Sequence, residues 1–444
     1  MKEINLSAYG KRNLIPAPVS RMLGQFAHDF RDGIDINLGI GYVNEETIPA
    51  DFIVQALEEV VKKDSPYRQP LNYGSPQGSP QLISALRSYY LEKEVGGVNE
   101  DVMDAREIVI GSNGATSLLE AFSDLMEKGI VITAEPLYYI YTEFLERKGF
   151  TILTVPEDKD GMIPEKLEAL LNRPDLDPED ISYAYVITVN NPSGSILTNS
   201  RRKEIVRLFT EFSKRRNRPL PVIFDKAYED LVHNREQEKP LSGMLYDELG
   251  IIYEIGTLSK VIAPALRMGY MIAPPGDLLN SIIQKISDTG FSAPLINQEV
   301  ASWLLDNRLE EQLAFVNEGY RKKAALLRPA IEEKLGPWLE ECIGGSAGFY
   351  FYLSFKEIKT GEDSPFFKYL NRITGEAGVD RIEGRMGPRV IYIPGDFCVH
   401  PQGELREKGS RSLRLSYGYE STENFLKSLD LMAQAVQWVK ECDD

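Results

Sequence analysis

The run GTLSKVIAPALRMGY, residues 256–270, carries only two charges: Lys260, directly after Ser259, and Arg267, seven residues on. A surface helix of that length would spread several charges along it. A lysine in apolar surroundings loses its proton more easily and becomes a nucleophile able to form a Schiff base with a carbonyl. A lysine snorkelling from a strand end has the same appearance. Three further stretches hold residues of comparable interest. In NGAT (113–116), Gly114, Ala115 and Thr116 begin a helix whose free N–H groups can receive a phosphate, and an ordinary glycine turn shares that composition. In NNPSG (190–194), Asn191 is either a hydrogen-bonding group or part of a turn. In DKAY (225–228), Asp225 ends an apolar strand, where a buried carboxylate needs a cation, a helix cap or an ion pair.

Taken together, a phosphate cradle, an Asn, a buried Asp, a Tyr and a Lys supply what one cofactor requires, pyridoxal 5′-phosphate. It withdraws electrons from a substrate carbanion when its ring nitrogen is protonated, and a carboxylate facing that nitrogen keeps the proton on. Asp225 is the candidate for that role, Asn191 and Tyr228 for hydrogen bonds to the ring's phenolic oxygen, and Arg267 for the phosphate.

Each of these groups follows a short apolar run, where open α/β sheets collect their ligand contacts. EIVIGS (107–112), GIVITA (129–134), YAYVITV (183–189), PVIFD (221–225), IIYEIG (251–256) and GYMIAP (269–274) read as strands of a mostly parallel sheet. Segments such as Thr116–Met126 and Arg201–Lys214 between them have helical spacing. Beyond about residue 275 the texture changes: a charged amphipathic stretch, Gln298–Leu335, leads to strand candidates FYFYLSF, RVIYIP and SLRLSYGY. This predicts an N-terminal arm with part of a small domain (1–65), a large domain (66–300), and a linking helix with a C-terminal small α+β domain (301–444).

The 444 residues carry a net charge of −17, which would repel nucleic acid and anionic membranes. Three cysteines without C-x-x-C spacing point to free thiols in a reducing compartment, and the polar start MKEINLSAYGKRN reads as cytoplasmic rather than secreted. Three scattered histidines leave little for a histidine-based metal site.

At this point the chain resembles the fold-type I aminotransferases of class I/II. TLSKVIAPALRMGY is similar to the family's S-x-S-K…R-x-G segment, NNPSG to the end of its Asn motif, DKAY to Asp-x-Ala-Tyr, and NGAT to its phosphate turn. Thr188 and Val189 depart from the Asn motif, Ser193 replaces its threonine, and Thr257 stands where a serine is usual, keeping the hydroxyl for the phosphate. The resemblance implies the family's large domain, with a mostly parallel seven-stranded sheet between helices, and a smaller α+β domain. It also implies Tyr138 stacked on the cofactor ring, Ile40 and Gly41 against the substrate, and Arg414 on the substrate α-carboxylate. Tyr73 in LNYGSPQG would reach the phosphate of the neighbouring subunit, implying a homodimer with shared sites. NLGIGYVNEETIP, SAGFYFYLSF and IPGDF look most similar to valine–pyruvate aminotransferases.

The implied reaction moves an amino group from an L-amino acid to a 2-oxo acid, with Lys260 as base and acid and Arg414 pinning the carboxylate so that the Cα–H bond breaks. A β-lyase or decarboxylase of the same fold is the near alternative, and an aspartate-type aminotransferase a further one. An effector-sensing domain fused to a DNA-binding module is a third, and the acidic charge and early motifs speak against it. No arginine stands in SDTGFSAPLINQ (287–298) to hold a distal carboxylate, so neutral substrates are expected.

Overall fold

This computed structural model describes residues 4–62, 66 and 69–443. Residue 65, where the first expected boundary falls, lies outside them. The large sheet consists of β1 (Glu107–Ile110), β2 (Ile130–Glu135), β3 (Thr151–Asp158), β4 (Gly161–Met162), β5 (Ile181–Ile187), β6 (Val222–Asp225), β7 (Ile252–Thr257) and β8 (Gly269–Ala273). Their order is β1-β8-β7-β6-β5-β2-β3-β4. The neighbours β7, β6, β5, β2 and β3 run parallel to one another. β8 is antiparallel to both of its neighbours, and β4 is antiparallel to β3.

The six expected strands all form, within a residue or two of their expected ends. The sheet exceeds seven strands because β3 hairpins onto the two-residue β4. β3 itself was not apparent in the sequence: TILTVPED is interrupted by Pro156, ends in two acids and is only half-buried toward the edge.

Strand alternation explains why the central runs are continuously apolar. Val109, Val131, Tyr183, Tyr185, Ile223 and Ile255 face one side, under helices Gly114–Leu125, Tyr139–Lys148 and Asp277–Gly290. Ile108, Ile132, Val186, Phe224 and Ile252 face the other. Both sides are buried, so neither tolerates the polar alternation of a solvent-facing sheet.

A second, antiparallel sheet follows: β9 (Leu339–Gly344), β10 (Tyr350–Phe355), β11 (Ile393–Pro394) and β12 (Ser412–Ser416), in the order β9-β10-β12-β11. The amphipathic stretch ending at Leu335 is two helices, Leu295–Asn307 and Leu309–Leu335, because Arg308 leaves helical geometry at φ −137. RVIYIP divides likewise: Val390–Ile391 pairs in parallel with Ile36–Asn37, while Ile393–Pro394 joins β12. The first pairing carries Gly39–Gly41 toward the ends of the large-sheet strands. Among the described residues no helix is long and apolar enough to cross a membrane.

Candidate active site

Beyond the C-terminal ends of β5, β6 and β7 lies a cavity of ≈ 150 Å³. Ala115, Thr116, Tyr138, Asn191, Asp225, Tyr228, Thr257, Lys260 and Arg267 all line it. A larger cleft of ≈ 900 Å³ elsewhere holds none of these groups.

Asp225 closes β6 on the face shared by Tyr185 and Ile187 of β5, since Ile187 is its register partner. Its Oδ2 accepts the Tyr185 hydroxyl at 2.6 Å and its Oδ1 the Ala227 N–H at 2.9 Å. Burial raises the pKa of Asp225, against the opposing effects of those two donors and of Lys260. The adjacent Lys226 points to the opposite face, where Glu254 and Glu229 hold it at 3.0 and 3.2 Å. Lys260 Nζ lies 3.5 Å from the Gly41 carbonyl oxygen and 5.3 Å from the Tyr228 ring centre. Burial, reinforced by Arg414 and Arg267, lowers its pKa to about 8, and Asp225 works the other way. The nucleophile expected from the sequence thus sits where its proton is easily lost.

The end of the cavity at the start of the helix Gly114–Leu125 is built by close backbone approach. A Cβ on Gly269 would stand 2.1 Å from the Ala115 nitrogen, so β8 passes directly under the start of the helix Gly114–Leu125 only because residue 269 is glycine. Gly114, at φ +71, begins that helix, and a Cβ there would meet Arg267 Nη2 at 3.1 Å. Arg267 grips the same turn, with Nε donating to Asn113 Oδ1 at 2.9 Å and Nη2 to the Asn113 carbonyl at 3.0 Å. The Thr257 hydroxyl lies 2.8 Å from the Met268 carbonyl and accepts the Ser259 N–H at 3.2 Å.

Arg414 lies on β12, only 2% exposed. Its Nη1 donates to Asn191 Oδ1 at 2.8 Å and to the Tyr139 hydroxyl at 3.2 Å, and its Nη2 donates to the Gly39 carbonyl. The guanidinium rests 4.7 Å from the Tyr350 ring centre. Its Nε has no partner, and no carboxylate among the described residues pairs with it. A buried cation without an anion, holding a free donor, fits an incoming carboxylate. Gly41 leaves room for the Tyr350 hydroxyl, which a Cβ there would approach to 2.5 Å, and that hydroxyl lies 2.8 Å from the Tyr228 oxygen. Ile40 flanks these residues, half-buried. Tyr73 is outside the cavity, 78% exposed, with its ring 5.3 Å from that of Phe291.

Three participants escaped the sequence reading: Ser259, which lines the cavity, Tyr139 on Arg414, and Tyr185 on Asp225. Ser259 was signalled by its place before Lys260, and Tyr185 by sharing a strand face with the end of β5. Tyr139 had no local signal.

Residues 34–386 match the family described as aminotransferase class I and II. The chain belongs to this family. The aminotransferase is 23% identical over 410 residues to aromatic-amino-acid aminotransferase 1 of Thermococcus litoralis, covering 90% of this chain and 88% of that one. It is also 26% identical over 393 residues to an uncharacterized HTH-type transcriptional regulator of Bacillus subtilis, covering 87% of this chain and 70% of the regulator. Its fold matches the multiple substrate aminotransferase from Thermococcus profundus with a TM-score of 0.80 at 20% identity, over 98% of each chain. The cofactor is pyridoxal 5′-phosphate. The residues present fit it: a glycine-lined helix start with Arg267 for the phosphate, a buried carboxylate, and a lysine of lowered pKa in one cavity.

Proposed function

We propose that this aminotransferase moves the amino group of a neutral L-amino acid, aliphatic or aromatic, to a 2-oxo acid. When bound, the cofactor takes up electrons from the substrate carbon once its ring nitrogen is protonated. Lys260 would hold the cofactor through Nζ and is the base placed to take the proton from the substrate Cα. Its lowered pKa supports both tasks. Asp225 would keep the ring nitrogen protonated, Asn191 and Tyr228 would serve the phenolic oxygen, and Tyr138 would lie against the ring. Gly114, Ala115, Thr116, Thr257 and Arg267 take the phosphate. Arg414 binds the α-carboxylate, with Ile40 and Gly41 beside it.

The observation that carries the substrate class is the wall around Arg414, which among the described residues is made by the rings of Tyr139 and Tyr350 and the Gly39 backbone. Two arginines of the N-terminal segment that could have served a distal carboxylate are engaged: Arg12 donates to the carbonyls of Glu146 and Arg147, and Arg21 pairs with Glu362 at 2.9 Å. A distal carboxylate left without a partner would lose about 1–3 kcal/mol, a tenfold to hundredfold handicap. The name of the Thermococcus litoralis relative supports aromatic side chains within this class. Exposed Leu71, Tyr73 and Phe291 support a homodimer in which Tyr73 reaches the partner's phosphate site.

The test is kcat/KM for valine, alanine, phenylalanine, aspartate and glutamate. Neutral donors are expected to lead, and a clear preference for either acidic substrate would overturn the reading. Formation of a new amino acid, rather than ammonia and pyruvate, separates transamination from β-elimination.

A further inference from the structure

We propose that Tyr185 is the positioning residue of Asp225: its hydroxyl holds Oδ2 in place and keeps the carboxylate ionised, and through it sets how firmly the cofactor's ring nitrogen stays protonated. The inference rests on the reading that Asp225 faces that nitrogen, and it adds to it a residue that lies outside the motifs.

Three observations carry it. Tyr185 and Asp225 stand on neighbouring parallel strands, on the same sheet face and one pleat apart, because Tyr185 registers with Ile223 and Ile187 with Asp225. A side chain as long as tyrosine reaches across such a diagonal, and the hydroxyl arrives 2.6 Å from Oδ2. Secondly, no other acceptor among the described residues takes the Tyr185 hydroxyl. The neighbouring Tyr141, whose ring centre is 4.7 Å away, has its hydroxyl 3.2 Å from the Leu119 carbonyl, to which it donates, and shares a hydrogen bond of 2.8 Å with the Tyr183 hydroxyl. Thirdly, Asp225 has few other supports. The Ala227 N–H holds Oδ1, Lys260 is the cation that acts on it, and the hydroxyls of Tyr138 and Tyr141 stand nearby as neutral groups. Lys226, next in sequence, is committed to Glu254 and Glu229 on the far face. Removing the Tyr185 hydroxyl therefore leaves Oδ2 without a donor in an apolar wall, which favours the protonated carboxyl and draws the proton away from the ring nitrogen.

Tyr185→Phe deletes one oxygen and keeps the ring packed against Tyr141. In the holoenzyme, kcat is expected to fall about tenfold, with KM for the amino acid changed by less than about twofold. The second readout needs no cofactor. Between about pH 4 and pH 7, below the range in which Lys260 loses its proton, the melting temperature of the apoprotein is measured for wild type and variant. The bond stabilises only the ionised Asp225, so the deficit of Tyr185→Phe should be small at the acid end and widen as pH rises. In an Asp225→Asn background the same substitution should produce a flat deficit. A deficit of constant size in the Asp225 protein would make Tyr185 a packing residue and overturn the proposal, as would an unchanged kcat. The reading of Asp225 is checked separately by Asp225→Ala: near wild-type turnover there would remove Asp225 from the chemistry, whereas the pH-dependent coupling concerns the Tyr185 contact itself.

Discussion

Replacing Arg414 by lysine tests the substrate end of the site. The side chain is buried, donates to Gly39, Asn191 and Tyr139, and keeps Nε free for an incoming group. Lysine retains the charge but loses the planar fork, so two charge-assisted hydrogen bonds to a carboxylate cannot form in parallel. Lysine keeps one such bond and loses the other, worth about 1.5–3 kcal/mol, or roughly 10- to 10²-fold in kcat/KM. The assay compares single-turnover half-reactions of alanine and ethylamine, which differ by the carboxylate. Arg414→Lys should lower the alanine rate by that factor and move the slow ethylamine rate by less than about threefold. An equal fall for both amines, or alanine kinetics near those of wild type, would refute the assignment.

Borohydride treatment of the holoenzyme should fix the cofactor to the peptide containing Lys260. Because burial holds the Lys260 pKa near 8, below the value in an unfolded chain, the folded protein bears the cost of a buried charge below pH 8 and is relieved as pH rises; Lys260→Met should therefore raise the apoprotein's melting temperature more at pH 6 than at pH 10. Gly269→Ala should destabilise the protein by about 1–3 kcal/mol or more and impair cofactor loading, because the new Cβ would lie 2.1 Å from the Ala115 nitrogen; calorimetry and a cofactor titration check both. Glu157, which accepts the Ser193 and Ser195 hydroxyls at 2.5 and 3.0 Å, has its pKa raised by burial to about 7. Native Glu157 thus binds a proton that the unfolded chain has released, stability falls as pH rises toward 7, and Glu157→Gln should recover melting temperature at pH 8 but not at pH 4.

The cofactor half of the site was legible because its residues follow strands whose apolar runs show in sequence: Asn191, Asp225 and Lys260 each come shortly after or at a strand end. Their types also restrict each other chemically. The contacts that arrange them were not legible. Alternation assigns Tyr185 to a face, but only the pairing of β5 with β6 brings it onto Asp225. Arg267 could be read as a phosphate ligand, yet its grip on Asn113 joins residues 154 positions apart. The break at Arg308 has no glycine to mark it, and β3 is interrupted by Pro156 and ends in two acids, unlike the apolar runs of the central strands.

The contacts of Arg414 also bear on the order in which the molecule assembles. Within one chain, the residues proposed to hold the cofactor fall between positions 113 and 267, inside the span of the large sheet. Arg414, proposed for the substrate carboxylate, instead meets Asn191 across 223 positions and Gly39 across 375. Closing loops of that length is entropically expensive and correspondingly slow. During refolding from denaturant, competence to capture the cofactor should therefore return before competence to distinguish an amino acid from a simple amine, so that chirality and carboxylate selectivity are the last properties the chain acquires.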